Sequence, residues 1–371
     1  MVSLSAVQQS NAQIKTGQVI PPGIVAVFVG ATSGIGKACL VQFAQLTVSP
    51  RIYFVGRSQQ AANEILQHLR QINPEGKYTF IRADVSLLRN VDEVCEQIRA
   101  EEEFVNVLFL SQGTLDVTTD TSEKLPLILA LSYYSRMRFI ANLLPLLRHA
   151  STVSSISRVI TVMAGTKEGP ISSSEIGRKL VAPWKARGHL CSMMTLTMEH
   201  FAETEAPQVS FVHDYPGFVK TPLSDSMTGV VGGIMRGVFA VTSLFNSRNR
   251  RWVPLEESGQ RHVFLATSSR YPPKDGHKAS SSRHGVSIGE DGSGTETAVG
   301  SNGQVGSGVY SVDEFGESAD IHVQKLLEGL RRNGTKDQIW SHLQQEFKRI
   351  TGKAAIWSSA SSSSSPSQTA S

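Results

Sequence analysis

The sequence predicts an α/β fold built on a doubly wound parallel sheet, and three observations carry that prediction. Short runs, mostly apolar on both faces, alternate with helical periodicities from Val25 to about residue 221. No hairpin signal interrupts the alternation, which favours parallel strands joined by helical crossovers. The first apolar run leads into a glycine-rich turn, "VGATSGIGK", which opens a helix.

The predicted strands are Val25–Val29, Ile52–Val55, Tyr78–Arg82, Val105–Leu110, Val159–Met163 and Val209–His213. The helices between them are Lys37–Leu46, Gln59–Gln71, Asn90–Glu101, Pro126–Arg148 and Lys185–Glu203. Pro126 suits a helix start, because a proline in the first turn removes no helix hydrogen bond. These elements place one domain at 24–271, behind an N-terminal extension at 1–23. From 272 to 306 the chain is Gly/Ser-rich with few large apolar residues, the composition of a flexible insertion. Residues 307–352 complete the domain with a strand at Gly308–Val312 and two helices. The first, Ile321–Arg332, stops at Asn333-Gly334. The second opens with Thr335 and Gln338 at capping-box spacing and carries Ile339, Trp340, Leu343 and Phe347 on one face. Residues 353–371 read as a disordered, Ser-rich tail.

Composition excludes several functions. The 371 residues are 40% hydrophobic and 18% charged, with a net charge of +4 and no long basic run, so nucleic acid is not an expected partner. "NSRNRRW" at Asn246–Trp252 is basic but short. Cys39, Cys95 and Cys191 form no CxxC pair, which fits free thiols in a reducing, cytoplasmic setting and suggests no metal site. The N-terminal stretch lacks the basic-then-apolar order of a secretory signal. Gly229–Phe245 is largely apolar, but it is short for a span and has Arg236 at its middle. It reads as a substrate-side flap, with membrane association the weaker alternative.

The glycine turn points to a dinucleotide. Gly30, Gly34 and Gly36, with Thr32, Ser33 and Ile35 among them, would let a pyrophosphate approach the main chain at a helix N-terminus. At the end of the second strand stands Arg57, 21 positions past Gly36, followed by Ser58. An acid there would read the free ribose of NAD. A guanidinium suits the 2′-phosphate, so NADP(H) is the expected coenzyme.

The Gly-xxx-Gly-x-Gly spacing resembles the short-chain dehydrogenase/reductase family, and further landmarks over roughly 24–268 fall in order. "ADV" is similar to the family's adenine-contacting segment and puts Asp84 in that role. "SQG", Ser111–Gly113, resembles the Asn-Ala-Gly segment after the fourth strand. "YPGFVKT" resembles the segment that embraces the nicotinamide and implies contacts from Pro216, Gly217, Val219 and Thr221. The ends, "SAVQQSNAQI" and "GVYSVDEFGES", look like divergent reductases of fungal secondary-metabolite pathways, which implies a polyketide- or terpenoid-like substrate.

The family's proton-transfer residues are replaced. Ala182 and Ala186 fall near the slots of its Tyr-xxx-Lys motif, and Ala164 falls where its serine should be, with Thr166 the nearest hydroxyl. Ser132 falls near the asparagine of the long helix. Lys185 and Tyr215 are the substitutes expected to carry catalysis, and His189, one turn after Lys185, is a further candidate. Arg136 lies one turn after Ser132, and Tyr134 and Arg138 share a helix face; these arginines either enter the cleft or snorkel to solvent. Trp184 either lines the pocket or anchors a loop. The reading is an NADPH-dependent oxidoreductase reducing a carbonyl or enone of a small, largely apolar metabolite. The alternative is a redox-neutral catalyst or an NADP(H)-binding pseudoenzyme on the same fold. Oligomeric state is left open.

Overall fold

The computed structural model describes residues 1–177, 183–223, 252–275, 284–287 and 296–357, without the side chains of 183–185. Its main sheet contains β1 (Val25–Val29), β2 (Arg51–Gly56), β3 (Lys77–Arg82), β4 (Val107–Leu110), β5 (Arg158–Val162) and β6 (Ser210–Asp214). Outside it lies a short parallel pair, β7 (Phe218–Val219) with β8 (Trp252–Val253), and β9 (Val309–Val312) closes its far edge. The order is β3-β2-β1-β4-β5-β6-β9, parallel throughout. The chain winds from β1 towards β3, then returns to β4 on the other side of β1. That reversal opens a crevice at the carboxyl ends of β1 and β4, where such sheets bind ligands.

The helices are α1 (Leu4–Ile14), α2 (Gly34–Leu46), α3 (Gln59–Ile72), α4 (Leu88–Glu101), α5 (Leu127–Leu129), α6 (Ser135–Val153), α7 (Pro183–His200), α8 (Leu255–Thr267), α9 (Ile321–Arg332) and α10 (Thr335–Thr351). They cover both sheet faces, and strand alternation shows how. In β1, Val25, Val27 and Val29 join the core under α4, α6, α7 and α10. Ala26 and Phe28 join the opposite core under α1, α2, α3 and α8. An uninterrupted apolar strand thus serves two cores with a period of two.

Predicted and observed strands agree within two residues at each end. Three features differ from expectation. Residues 1–23 contain α1, capped by Ser3, whose Oγ accepts from Ala6 N at 3.2 Å. Its Val7 and Ile14 are buried, and Asn11 Nδ2 donates to Gln260 O of α8 at 2.9 Å. Helix α8 itself was not legible: Ser258, Arg261 and His262 are buried in it and mask its apolar stripe. Helix α10 is capped by Gly334 in the left-handed region, and Thr335 is its first residue, not its cap. Thr335 Oγ1 instead donates to Asn333 Oδ1 at 2.7 Å.

Segments that composition marks as flexible are partly packed. Within 272–306, Val286 and Ala298 are buried, and Val286 N donates to Thr267 O at 2.8 Å. In the tail, 353–357 is strapped to α6. Buried Arg138 forms two hydrogen bonds to Asp92, 2.6 and 2.8 Å, and donates to Lys353 O and Ala354 O at 3.0 and 2.7 Å. Trp357 Nε1 donates to Ala141 O at 2.7 Å. Arg138 therefore neither snorkels nor enters the cleft; it ties α4, α6 and the chain end together. Removing one partner of a buried pair strands the other. Arg138→Met should lower unfolding stability by about 3 kcal/mol in urea titration, with 353–357 becoming sensitive to protease.

Candidate active site

The glycine turn is shaped by close approach. Gly30 (φ 80°) and Gly34 (φ 56°) occupy the left-handed region. A Cβ on Gly30 would lie 2.6 Å from Gln112 N at the end of β4. A Cβ on Gly36 would overlap Ser111 Oγ and the Gly30 carbonyl. Ser111 Oγ donates to Val29 O at 3.1 Å, stitching β4 to the turn. Ser33 is the N-cap of α2, yet its side chain makes no capping hydrogen bond. The first amides of α2 thus keep their donors for an anion, with the helix dipole behind them. Residues of this shape fit a dinucleotide pyrophosphate.

One end of the crevice is set by β2. Thr32 packs over Gly56, bringing the turn against the strand end. Arg57 follows, exposed, and among the described residues it makes no ion pair or hydrogen bond through its side chain. Ser58 caps α3 by accepting from Ala61 N at 3.2 Å. Asp84 is exposed beyond β3, and its Oδ1 accepts from Ser86 N at 3.1 Å.

The other end lies over β4, β5 and β6. The segment from Tyr215 starts at the end of β6, and Gly217 adopts φ 74° against Glu314. It returns to the turn, where Thr221 stands 3.4 Å from the position of a Cβ on Gly34. Pro216, Gly217, Val219 and Thr221 are all half-buried along this path. The structure therefore brings the glycine turn together with Gly56, Ser111, Gln112 and Thr221 at the carboxyl edge of the sheet, with Arg57, Ser58 and Asp84 exposed farther along it.

After β5 the chain turns sharply. Ala164 is buried, Gly165 has no room for a Cβ beside the His213 carbonyl, and Cys191 Sγ donates to Ala164 O at 3.1 Å. Thr166 adopts φ 64°, and its Oγ1 has no hydrogen-bond partner. Glu168 then points inward: its Oε1 accepts from Thr195 Oγ1 (2.7 Å) and Ser311 Oγ (2.6 Å). His213 Nδ1 lies 2.9 Å from Thr195 Oγ1. Burial pushes the Glu168 carboxyl up, but His213, Ser311 and Thr195 outweigh burial and hold it below its ordinary value. This cluster fastens the turn to β6, β9 and α7.

Tyr215 stands at the mouth with two cations over its ring. Lys167 Nζ is 5.2 Å and Arg187 Cζ 5.1 Å from the ring centroid. Neither cation was singled out from the sequence, since only the fold brings the β5 turn, α7 and the end of β6 together. Lys185 lies in the first turn of α7 with its side chain outside the described residues, as is that of Trp184; Ala182 and 229–245 lie outside them altogether. His189 is buried, its Nδ1 has no partner among the described residues, and burial holds its pKa below the ordinary value. Tyr134 Oη pairs with His342 Nε2 of α10 at 2.6 Å. Ser132 is buried beneath Gly113, its Oγ 3.8 Å from the position of a Cβ there. Arg136 does not snorkel: it is 2% exposed and reaches the ends of β4 and β5. Among the described residues no group of three or more His, Cys, Asp or Glu could hold a metal, and no helix is long and apolar enough to cross a membrane.

The profile of the short chain dehydrogenase family matches residues 24–229, more than half the chain. The chain belongs to the short-chain dehydrogenase family. It is 38% identical to "Oxidoreductase andH" of Emericella variicolor, over 95% of this chain and 99% of that protein. It is 39% identical to "Oxidoreductase AN1596" of Emericella nidulans, over 92% and 97%. "Short-chain dehydrogenase/reductase SAT2" of Stachybotrys chartarum is 29% identical over 96% and 99%. Among solved structures, levodione reductase superposes with a TM-score of 0.52 at 15% identity, covering 70% of this chain and 94% of that one. L-Sorbose reductase from Gluconobacter frateurii, complexed with NADPH and L-sorbose, gives 0.50 at 21%, covering 66% and 90%. At these identities the structural likeness shows the fold alone. This short-chain dehydrogenase is an oxidoreductase of its family, which takes a nicotinamide coenzyme and small-molecule substrates.

A β-branched residue at positive φ is strained. Thr166→Gly removes that strain and the orphaned hydroxyl, so it should raise stability by roughly 1 kcal/mol, read as a higher urea midpoint with unchanged slope.

Proposed function

We propose that this short-chain dehydrogenase reduces a carbonyl or enone of a small, largely apolar metabolite with NADPH, and that Tyr215 supplies the proton. The observation that carries this reading is the pair of cations on the Tyr215 ring at the carboxyl end of β6. When a phenol gives up its proton, a nearby positive charge favours the phenolate left behind. Lys167 and Arg187 provide that charge from the β5 turn and α7. Bound at the glycine turn, the coenzyme supplies hydride. The amides of α2 hold its phosphates, Arg57 takes the 2′-phosphate at the β2 end, and the Pro216–Thr221 segment roofs the crevice against water. Lys185, in the opening turn of α7, is assigned to the ribose side of the same cleft.

The replacement of the family's serine by buried Ala164 favours the second reading, a protein that binds NADP(H) without consuming it. Absorbance at the reduced-coenzyme band separates the two. Under the first reading, NADPH is consumed in step with product from a panel of apolar ketones and enones. Binding without consumption across that panel selects the second.

Two substitutions test the assigned residues. Arg57→Ala should weaken NADPH binding about 10- to 100-fold while leaving NADH within a few-fold, because it removes one charge-assisted phosphate contact. Equal losses for both coenzymes would withdraw Arg57 from that role. Tyr215→Phe should lower kcat about 10²- to 10⁴-fold, the range for a lost general acid, with KM little changed. Full activity in that variant would remove Tyr215 as the donor.

A further inference from the structure

Arg136 has no part in that scheme, yet it stands directly below the crevice floor. Its Nη1 donates to Thr161 Oγ1 (2.6 Å) and Val162 O (2.8 Å), and Nη2 to Gln112 O (2.5 Å). Its Nε has no acceptor. Nη2 lies 3.8 Å from the position of a Cβ on Gly113. Among the described residues no carboxylate pairs with it. Other buried or partly buried acids are taken by other cations: Asp92 by Arg138, Glu199 by Arg331, Glu257 by Arg261. Burial pushes its pKa down to about 9, which leaves it charged at neutral pH.

A second buried arginine shows what a purely structural one looks like. Arg158, at the amino end of β5, is also held by carbonyls, those of Leu265, Ser268 and Tyr271, at 2.7–2.9 Å. It ties loops together at the end of the sheet away from the crevice. Arg136 lies at the carboxyl end. Arg57 fixes the adenosine half at β2, so the remaining half of the dinucleotide extends across the switch point towards β4 and β5. The fixed charge of Arg136 therefore underlies the nicotinamide half.

We propose that Arg136 selects the redox state of the coenzyme. The oxidised nicotinamide ring is a cation and the reduced ring is neutral. A buried, unpaired guanidinium beneath that ring opposes the first and leaves the second unaffected. The protein thus binds NADPH in preference to NADP⁺, and its pocket releases the oxidised form readily, which suits a reductase. This rests on the coenzyme reading above, not on the identity of the proton donor. A unit charge acting over about 10 Å at an effective dielectric near 20 changes a binding constant by roughly tenfold.

The test is calorimetric titration of the full chain with NADPH and with NADP⁺, in wild type, Arg136→Met, Arg136→Lys and Arg158→Met. Expected are a wild-type preference for NADPH of roughly tenfold, its collapse towards parity in Arg136→Met, and its retention in Arg136→Lys. Arg158→Met should lose thermal stability and keep the preference. Equal wild-type affinities would overturn the selector, as would an unchanged ratio in Arg136→Met. Should Arg136→Met not fold, Arg136→Gln, which keeps an amide donor without the charge, takes its place, and an unchanged ratio in it overturns the selector. Failure of both coenzymes to bind would instead sink the proposed function.

Discussion

The close approach of two backbones at the switch point is the constraint on which the rest of the structure depends. The β1–α2 turn and the end of β4 touch main chain to main chain, with room for no Cβ on Gly30 or Gly36. That contact lets Ser111 hydrogen-bond across the junction. Any larger residue would pry β4 from β1 and tilt α2. A local steric requirement therefore sets both the sheet's central pairing and the direction of the helix N-terminus above it.

Charge is distributed around this junction in a consistent pattern. Cations stand at three places along the carboxyl edge: Arg57 at β2, Arg136 under β4 and β5, and the Lys167–Arg187 pair beside β6. Two acids near the edge are spent on structure, Glu168 inside the β5 turn and Asp214 on His262 at 2.9 Å, while Asp84 stays exposed beyond β3. These cations gather along one edge of a chain whose net charge is only +4. Such focusing suits an anionic dinucleotide better than the bulk composition suggests.

The glycine turn was legible in the sequence because it is local. Gly30, Gly34 and Gly36 lie within one turn, and the Arg57 spacing is one strand plus one helix long. The strands were legible because buried parallel strands are short apolar runs. Helices α1 and α8 were not, since polar residues such as Asn11, Ser258 and His262 are buried in them and break the expected stripe. The packed parts of 272–306 hang on single residues, Val286 and Ala298, which no window average reveals. Lys167 and Arg187 were missed for a different reason: one lies in a turn after β5, the other on α7, and Tyr215 joins them only after β6 pairs with β5. Arg136 was noticed, but helix periodicity cannot tell a snorkelling arginine from one reaching under a sheet end.

The turn after β5 sorts its own side chains by charge. In Thr166-Lys167-Glu168, an ordinary extended path would throw Lys167 to one side and its neighbours to the other without regard to the sheet. The positive φ at Thr166 instead swings Glu168 down onto Thr195 and Ser311 and leaves Lys167 outside, over Tyr215. Two opposite charges, adjacent in sequence, are thereby sorted to opposite sides of one backbone. The carboxylate becomes an internal fastener and the ammonium becomes part of the crevice mouth. Gly169 and Gly188 let α7 pass close over the same turn, with Gly169 N donating to Gly188 O at 2.9 Å. Ala164 and Cys191 fill the space beneath it, where a serine hydroxyl would have needed a partner or an opening to solvent. A strained residue retained at this one point, with its hydroxyl unpartnered, is what a turn selected for where it sends its neighbours would show.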